Sequence, residues 1–144
     1  MSLDSINSHN IAPVHLLRGP GAWPEALPLI NGLCGRPLLL GRSASTRLIR
    51  KQLSEDLSNQ NLAVENAELH FDCCDLDLAL VEKQIKLSNC DAVIACGGGK
   101  VLDAGKLIAN HLDLVCITVP TSAATCAGWT ALANIYSAAG AFQA

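Results

Sequence analysis

The sequence predicts an α/β fold, a parallel sheet with helices packed on both faces. Three observations carry this. Strand-like apolar runs alternate with helical segments of about 10–17 residues, the spacing of βαβ units. Hydrophobic residues make up 50% of the 144-residue chain, charged residues 16% and aromatics 3%, so the core must be built from Leu, Ile, Val and Ala, as in strands buried on both faces. The stretch DAVIACGGGKVLDAGK (91–106) joins an apolar strand to a helix through three glycines.

The elements follow in order. VHLLRG (14–19) reads as a first strand, closed by Gly19-Pro20-Gly21. Residues 22–34 form a helix candidate interrupted by Pro24 and Pro28. PLLLG (37–41) is a short, fully buried strand. Residues 43–59 are a helix, with Ile49, Leu53 and Leu57 recurring every four residues and Ser43 or Ser45 capping its start. LAVENAELH (62–70) is a strand of mixed polarity, and 75–88 a helix with Leu78, Val81 and Ile85 on one face. DAVIAC (91–96) is a strand, 101–112 a helix and LVCITVP (114–120) a strand. The apolar run 130–137 is either strand or helix, and SAAGAFQA closes the chain in what reads as a hairpin.

Composition excludes several classes of function. The net charge is −3, with no basic stripe or aromatic platform for nucleic acid. No apolar run approaches the ~18 residues of a membrane span. The opening MSLDSINSHN is polar, is not a signal peptide, and reads as a flexible N-terminus over about residues 1–11. Seven cysteines, an odd number without a C-x-x-C pair, read as free thiols of a cytoplasmic protein, with Cys90, Cys96 and Cys116 as core residues. The four histidines lack H-x-x-x-H spacing, so no metal site is expected within this chain. Eight acids lie between Glu55 and Glu82 with no Lys or Arg among them; a solvated face is the reading, with a partner-binding patch as its alternative.

Gly97-Gly98-Gly99 is the chemical centre of the sequence. Glycine permits positive φ and close approach of a ligand to the backbone. A helix start adds unpaired N–H donors and a partial positive charge, which together suit a pyrophosphate. The spacing is not G-x-G-x-x-G, and Val101 stands where a P-loop needs Ser or Thr, so a dinucleotide in an unusual turn fits better than a hydrolysed triphosphate. The plain alternative is a tight turn. Against it, three strand ends with chemical character, Gly41-Arg42, Gly97 to Lys100 and Thr121-Ser122, open onto one edge of a parallel sheet, where ligands bind. The domain is therefore read as dinucleotide-binding and Rossmann-like over 1–144.

GGGKVLDAGK followed by VPTSAATCAGWTALANIYS resembles the glycerol dehydrogenase branch of the iron-containing alcohol dehydrogenase family, and VHLLRGPGA resembles that family's first strand and turn. The resemblance runs from about residue 12 to 144. It implies a longer protein whose second half is a helical domain, which this chain stops before. By motif, Gly97, Gly98 and Gly99 would hold the pyrophosphate of a nicotinamide dinucleotide, with Lys100 and Val101 extending the turn. Thr121, Ser122, Thr130, Leu132 and Tyr136 match cofactor-contacting positions, and Asp103 and Lys106 match the family's D-x-x-K. The family's metal ligands, one Asp and two His, fall beyond residue 144, so a divalent Zn or Fe is expected only in the full-length protein.

Two departures refine this. The family's acidic residue at the second strand end is replaced by Gly41-Arg42. A carboxylate repels a 2′-phosphate and an Arg pairs with it, so NADP is favoured over NAD. The substrate-contacting Asp of glycerol dehydrogenases is replaced by Cys126, which argues against glycerol, and the ATCA-W form of residues 124–129 resembles a branch of the family associated with 2-hydroxy acids. The implied function is hydride transfer between a nicotinamide cofactor and a small alcohol, polyol or 2-hydroxy acid, in a homo-oligomer such as a dimer, with the fragment alone inactive. The alternatives are a dehydroquinate synthase-like carbon–oxygen lyase and a non-catalytic nucleotide-binding module.

Overall fold

The computed structural model describes residues 13–143. Four strands, β1 (Pro37–Gly41), β2 (Glu65–Glu68), β3 (Ala92–Gly97) and β4 (Val115–Pro120), form one sheet in the order β2-β1-β3-β4, every pairing parallel. Four helices, α1 (Ala22–Leu33), α2 (Arg47–Asn59), α3 (Asp75–Ser88) and α4 (Gly99–Leu112), cover it. The α/β fold with a parallel sheet is as the sequence predicts.

The layering follows from strand order. The chain leaves β1 in one direction to reach β2, then crosses back past β1 to reach β3. Right-handed crossovers place the two connecting helices on opposite faces. Leu39, Ile94 and Cys96 therefore face Leu53 and Leu57 of α2 and Ile30 of α1. Leu38, Leu40, Val93 and Ala95 face Leu78, Val81 and Ile85 of α3 and Leu102 and Ile108 of α4. Alternate residues of one strand thus feed two cores, the period-2 geometry of a strand buried on both sides. Gly105 lets α4 sit close to the sheet, since a Cβ there would lie 2.4 Å from that of Ala95.

The segment 14–19, expected as a strand, is not one. Val14 and Leu16 are 86% and 56% exposed, and the segment pairs with no strand among the described residues. Apolar composition makes a strand only where a sheet edge accepts its hydrogen bonds. The helix over 22–33 runs through both prolines. Pro24 falls in the first turn, where an N–H has no helical acceptor, and Pro28 forfeits one bond inside the helix. Strand β2 is shorter than 62–70, because only Ala67 of its four residues reaches the core. The run 130–137 is neither strand nor helix. Its end forms the expected hairpin, with Tyr136 bridging Phe142 and Gly140 turning at φ 83°.

Two further expectations change. Cys90 and Cys96 are buried, but Cys116 is exposed, because β4 is the sheet's edge and is only partly covered. The acidic segment is not a plain solvated face, since its partners come from elsewhere in the chain. Glu68 pairs with Arg50 at 2.7 Å and Glu82 with His111 at 2.8 Å, while Asp56 accepts from the Trp23 indole at 2.9 Å. Asp77, 1% exposed, accepts the backbone N–H groups of Phe71 and Asp72.

Candidate functional site

Strand order reverses between β1 and β3. The chain leaves their carboxyl ends toward opposite faces and opens a crevice between them, the place where ligands bind in open parallel sheets. Here Arg42, Ser43 and Thr46 line one side of that crevice and residues 97–101 the other, around a volume of about 280 Å³. Ser43 is held by its turn, its Oγ accepting from the Ser45 N–H at 3.2 Å.

The glycine turn is built for space rather than for positive φ; none of its three glycines is among the positive-φ residues. Gly98 is the N-cap of α4, at φ −81° and ψ −175°, and Gly99 and Lys100 form the first helical turn, two residues earlier than the sequence suggests. The N–H groups of such a turn lie upstream of the first intrahelical bond. The three glycines differ in what surrounds them. A Cβ on Gly97 would lie 2.9 Å from the Val101 Cβ, and one on Gly99 would lie 3.1 Å from the Thr125 Oγ1. A Cβ on Gly98 would meet nothing within 4 Å, so this position faces open crevice.

Charge at the crevice comes from Arg42 and Lys100. Both pair with Asp72 in the loop after β2, Lys100 Nζ at its Oδ2 and Arg42 Nη1 at 3.9 Å from its Oδ1. Lys100 also lies over the Tyr136 ring, 4.7 Å from the centroid. At the neighbouring strand end, the Thr121 N–H donates to the Gly97 carbonyl at 3.0 Å, and Ser122 Oγ accepts from the Ala124 N–H at 3.2 Å. The three marked strand ends therefore do share one edge. Cys126 is an exposed free thiol beyond them.

Asp103, Lys106, Thr130 and Leu132 serve one another. Asp103 and Lys106 pair at 3.1 Å with side chains 8% and 10% exposed. The Lys106 ammonium donates to the carbonyls of Thr130 and Leu132, and the Asp103 carboxylate accepts the Asn134 N–H at 3.2 Å. The D-x-x-K motif thus staples segment 130–134 onto α4, and the Leu132 side chain is 70% exposed. Asp72, Ser43 and Thr46 were not legible as site residues. The available signal for Asp72 was its position just past a strand whose end adjoins that of β1.

Burial pushes the Cys73 thiol up to about 12, reinforced by the Asp103 and Asp72 carboxylates, and burial with Asp91 beside it pushes Cys34 up to about 11. Neither is a nucleophile at neutral pH. Among the described residues no three His, Cys, Asp or Glu side chains group to hold a metal ion, and no helix is long and apolar enough to cross a membrane.

Fold and crevice together define a Rossmann-like α/β domain with cationic side chains and a helix start at its switch point. Residues 13–143 match the family described as iron-containing alcohol dehydrogenase, and the chain belongs to that family of alcohol oxidoreductases. It is 39% identical over 133 residues to an uncharacterized oxidoreductase of Synechocystis sp., covering 92% of this chain and 34% of that protein. It is 52% identical over 48 residues to hydroxycarboxylate dehydrogenase A of Escherichia coli, covering 33% and 13%. The glycerol dehydrogenase of Schizosaccharomyces pombe has a similar fold, with TM-score 0.82, 22% identity and coverage of 95% of this chain and 35% of that one. The chain spans about a third of the length of the Synechocystis relative.

Proposed function

We propose that residues 13–143 form the NAD(P)-binding part of an oxidoreductase that transfers a hydride between a nicotinamide cofactor and a small alcohol, polyol or 2-hydroxy acid. The observation that carries this reading is the open space beside Gly98, at a helix start, between the cations Arg42 and Lys100. A dinucleotide pyrophosphate needs backbone donors, positive charge and no Cβ in its path, and all three meet here. When bound, the cofactor supplies the hydride chemistry. The chain's own residues hold the phosphates on the turn 97–101, place Arg42 near the adenosine ribose, and border the cleft with Thr121, Ser122 and Tyr136. A catalytic metal, Zn or Fe, would in this reading be held by the full-length protein and would supply Lewis-acid polarisation of the substrate oxygen; this domain by itself is inactive.

Cys126 in place of a carboxylate, and the 52% identity over 48 residues to a hydroxycarboxylate dehydrogenase, favour a 2-hydroxy acid over glycerol. Five buried free thiols suit a reducing, cytoplasmic setting. Trp129, Leu132 and Phe142, 42%, 70% and 65% exposed, favour association into a homo-oligomer, which light scattering reads directly.

Calorimetric titration with NADP and NAD tests the reading. Wild type should bind, and Gly98→Val should lose that affinity while keeping its circular dichroism spectrum. Equal binding by both proteins would overturn the assignment of the turn.

A further inference from the structure

Beside the crevice, paired with both of its cations, lies a carboxylate that a phosphate site does not need. Asp72 is almost buried, with its side chain 7% exposed. Its Oδ2 carries the Lys100 ammonium. Its Oδ1 is buried without a hydrogen-bond donor among the described residues. Arg42 Nη1 stands 3.9 Å from that oxygen, close enough for an ion pair and too far for a hydrogen bond.

The two cations are held differently. Lys100 has a direct contact to Asp72 and the face of Tyr136 beneath it. Arg42 and Lys100 are about equally exposed, at 42% and 40%, so the difference lies in the pairing, which is long for Arg42. Asp72 itself is fixed. Its N–H donates to the buried Asp77 Oδ2 at 3.0 Å, and the next residue's carbonyl accepts the Tyr136 N–H at 2.7 Å. A carboxylate anchored in this way cannot follow Arg42 when that side chain moves.

Resting on the reading of the crevice as a phosphate site, we propose that Asp72 is a positioning residue. It is the permanent counter-ion of Lys100 and an exchangeable one for Arg42. A phosphate group entering the crevice takes Arg42 away from Asp72, while Lys100 stays on Asp72. Asp72 thereby lowers the affinity for any phosphate ligand by the strength of the pair that must break.

Inorganic pyrophosphate is the probe. Removing the charge in Asp72→Asn should tighten pyrophosphate binding by about two- to five-fold, the range of a half-exposed ion pair. The gain should be smaller in an Arg42→Gln background, because the larger part of the effect passes through Arg42. Unchanged or weaker binding by a folded Asp72→Asn protein would overturn the proposal, as would an equal gain with and without Arg42. A wild-type measurement covers the case in which Asp72→Asn fails to fold. In NMR titration with pyrophosphate, the Arg42 guanidinium resonances should shift as that side chain leaves Asp72; a silent Arg42 would overturn the proposal. NADP titration separates the two readings. Pyrophosphate coupling without NADP binding would sustain the role of Asp72 and reject the cofactor, and NADP binding without the coupling would do the reverse.

Discussion

Lys106 Nζ lies 3.1 Å from the Asp103 carboxylate one helical turn before it, and both side chains are at least nine-tenths buried. This pair is the anchor of the irregular segment after β4. The segment has no strand or helix to satisfy its backbone, so its carbonyls at Thr130 and Leu132 take the ammonium and its N–H at Asn134 takes the carboxylate. Residues that resemble a cofactor-binding motif thus have a complete structural role in this domain.

Removing the ammonium should expose that role. Lys106→Met leaves Asp103 buried without its partner and frees two carbonyls, a loss of about 3 kcal/mol by the cost of splitting buried pairs. Urea unfolding should show the lower midpoint, and limited proteolysis should cut near 130–134 sooner than in wild type. An unchanged midpoint together with an unchanged cleavage pattern would mean that the staple is not needed.

Three glycines should respond differently to alanine. Gly98→Ala places its methyl in open crevice and meets no clash, so it should cost only the modest penalty of Ala at an N-cap, up to about 1 kcal/mol. Gly97→Ala meets Val101 at 2.9 Å and Gly105→Ala meets Ala95 at 2.4 Å, so each should cost about 1–3 kcal/mol by overpacking. Thermal melts of the three proteins check the order. Equal melting temperatures would show that α4 shifts freely against β3, contrary to its buried packing.

Much of the fold was legible because its elements obey simple periods. The strand 37–41 and the helix 75–88 emerge with the bounds that their apolar patterns indicate. The failures share a cause. Residues 14–19 and 130–137 are apolar enough for regular structure, but what they become depends on partners far along the chain. Lys106 and Cys73 decide the second, with Cys73 accepting from Tyr136 and donating its thiol to the Asn134 carbonyl at 3.1 Å. The site was legible where glycine and strand ends coincide. Asp72 was not, because a single acid among eight has no local mark of burial until two cations 28 and 30 residues away fold onto it.

Arg42 should set the choice of cofactor. A charge-assisted hydrogen bond to a 2′-phosphate contributes ~1.5–3 kcal/mol, and the exposure of Arg42 places it at the lower end, a preference of roughly ten-fold for NADP. Arg42→Asp should reverse the order of NADP and NAD in calorimetry. A wild type that prefers NAD would remove Arg42 from the phosphate's path.

The buried thiols set an alkaline limit on stability. Cys34 and Cys73, 8% and 0% exposed, are raised from an ordinary 9.0 to about 11 and about 12 by burial first and neighbouring carboxylates second. A raised pKa means that the folded chain keeps a proton that the unfolded chain releases. The stabilisation is complete below pH 9 and is lost as pH climbs toward the folded values. Each thiol should therefore cost about 2 kcal/mol between pH 9 and 11. Urea midpoints measured across that range should fall, and the fall should be shallower in Cys73→Ala than in wild type, measured relative to each protein's own value at pH 8. Thiol labelling at pH 7.5 gives the parallel result. Cys126, an exposed cysteine, should react within minutes, Cys116, at the sheet edge but with its thiol pushed up to about 11 by burial, more slowly, while the five buried ones wait for unfolding. Labelling of Cys73 at the rate of Cys126 would show that the hairpin over it opens readily, and a slope unaltered in Cys73→Ala would assign the alkaline loss to other groups.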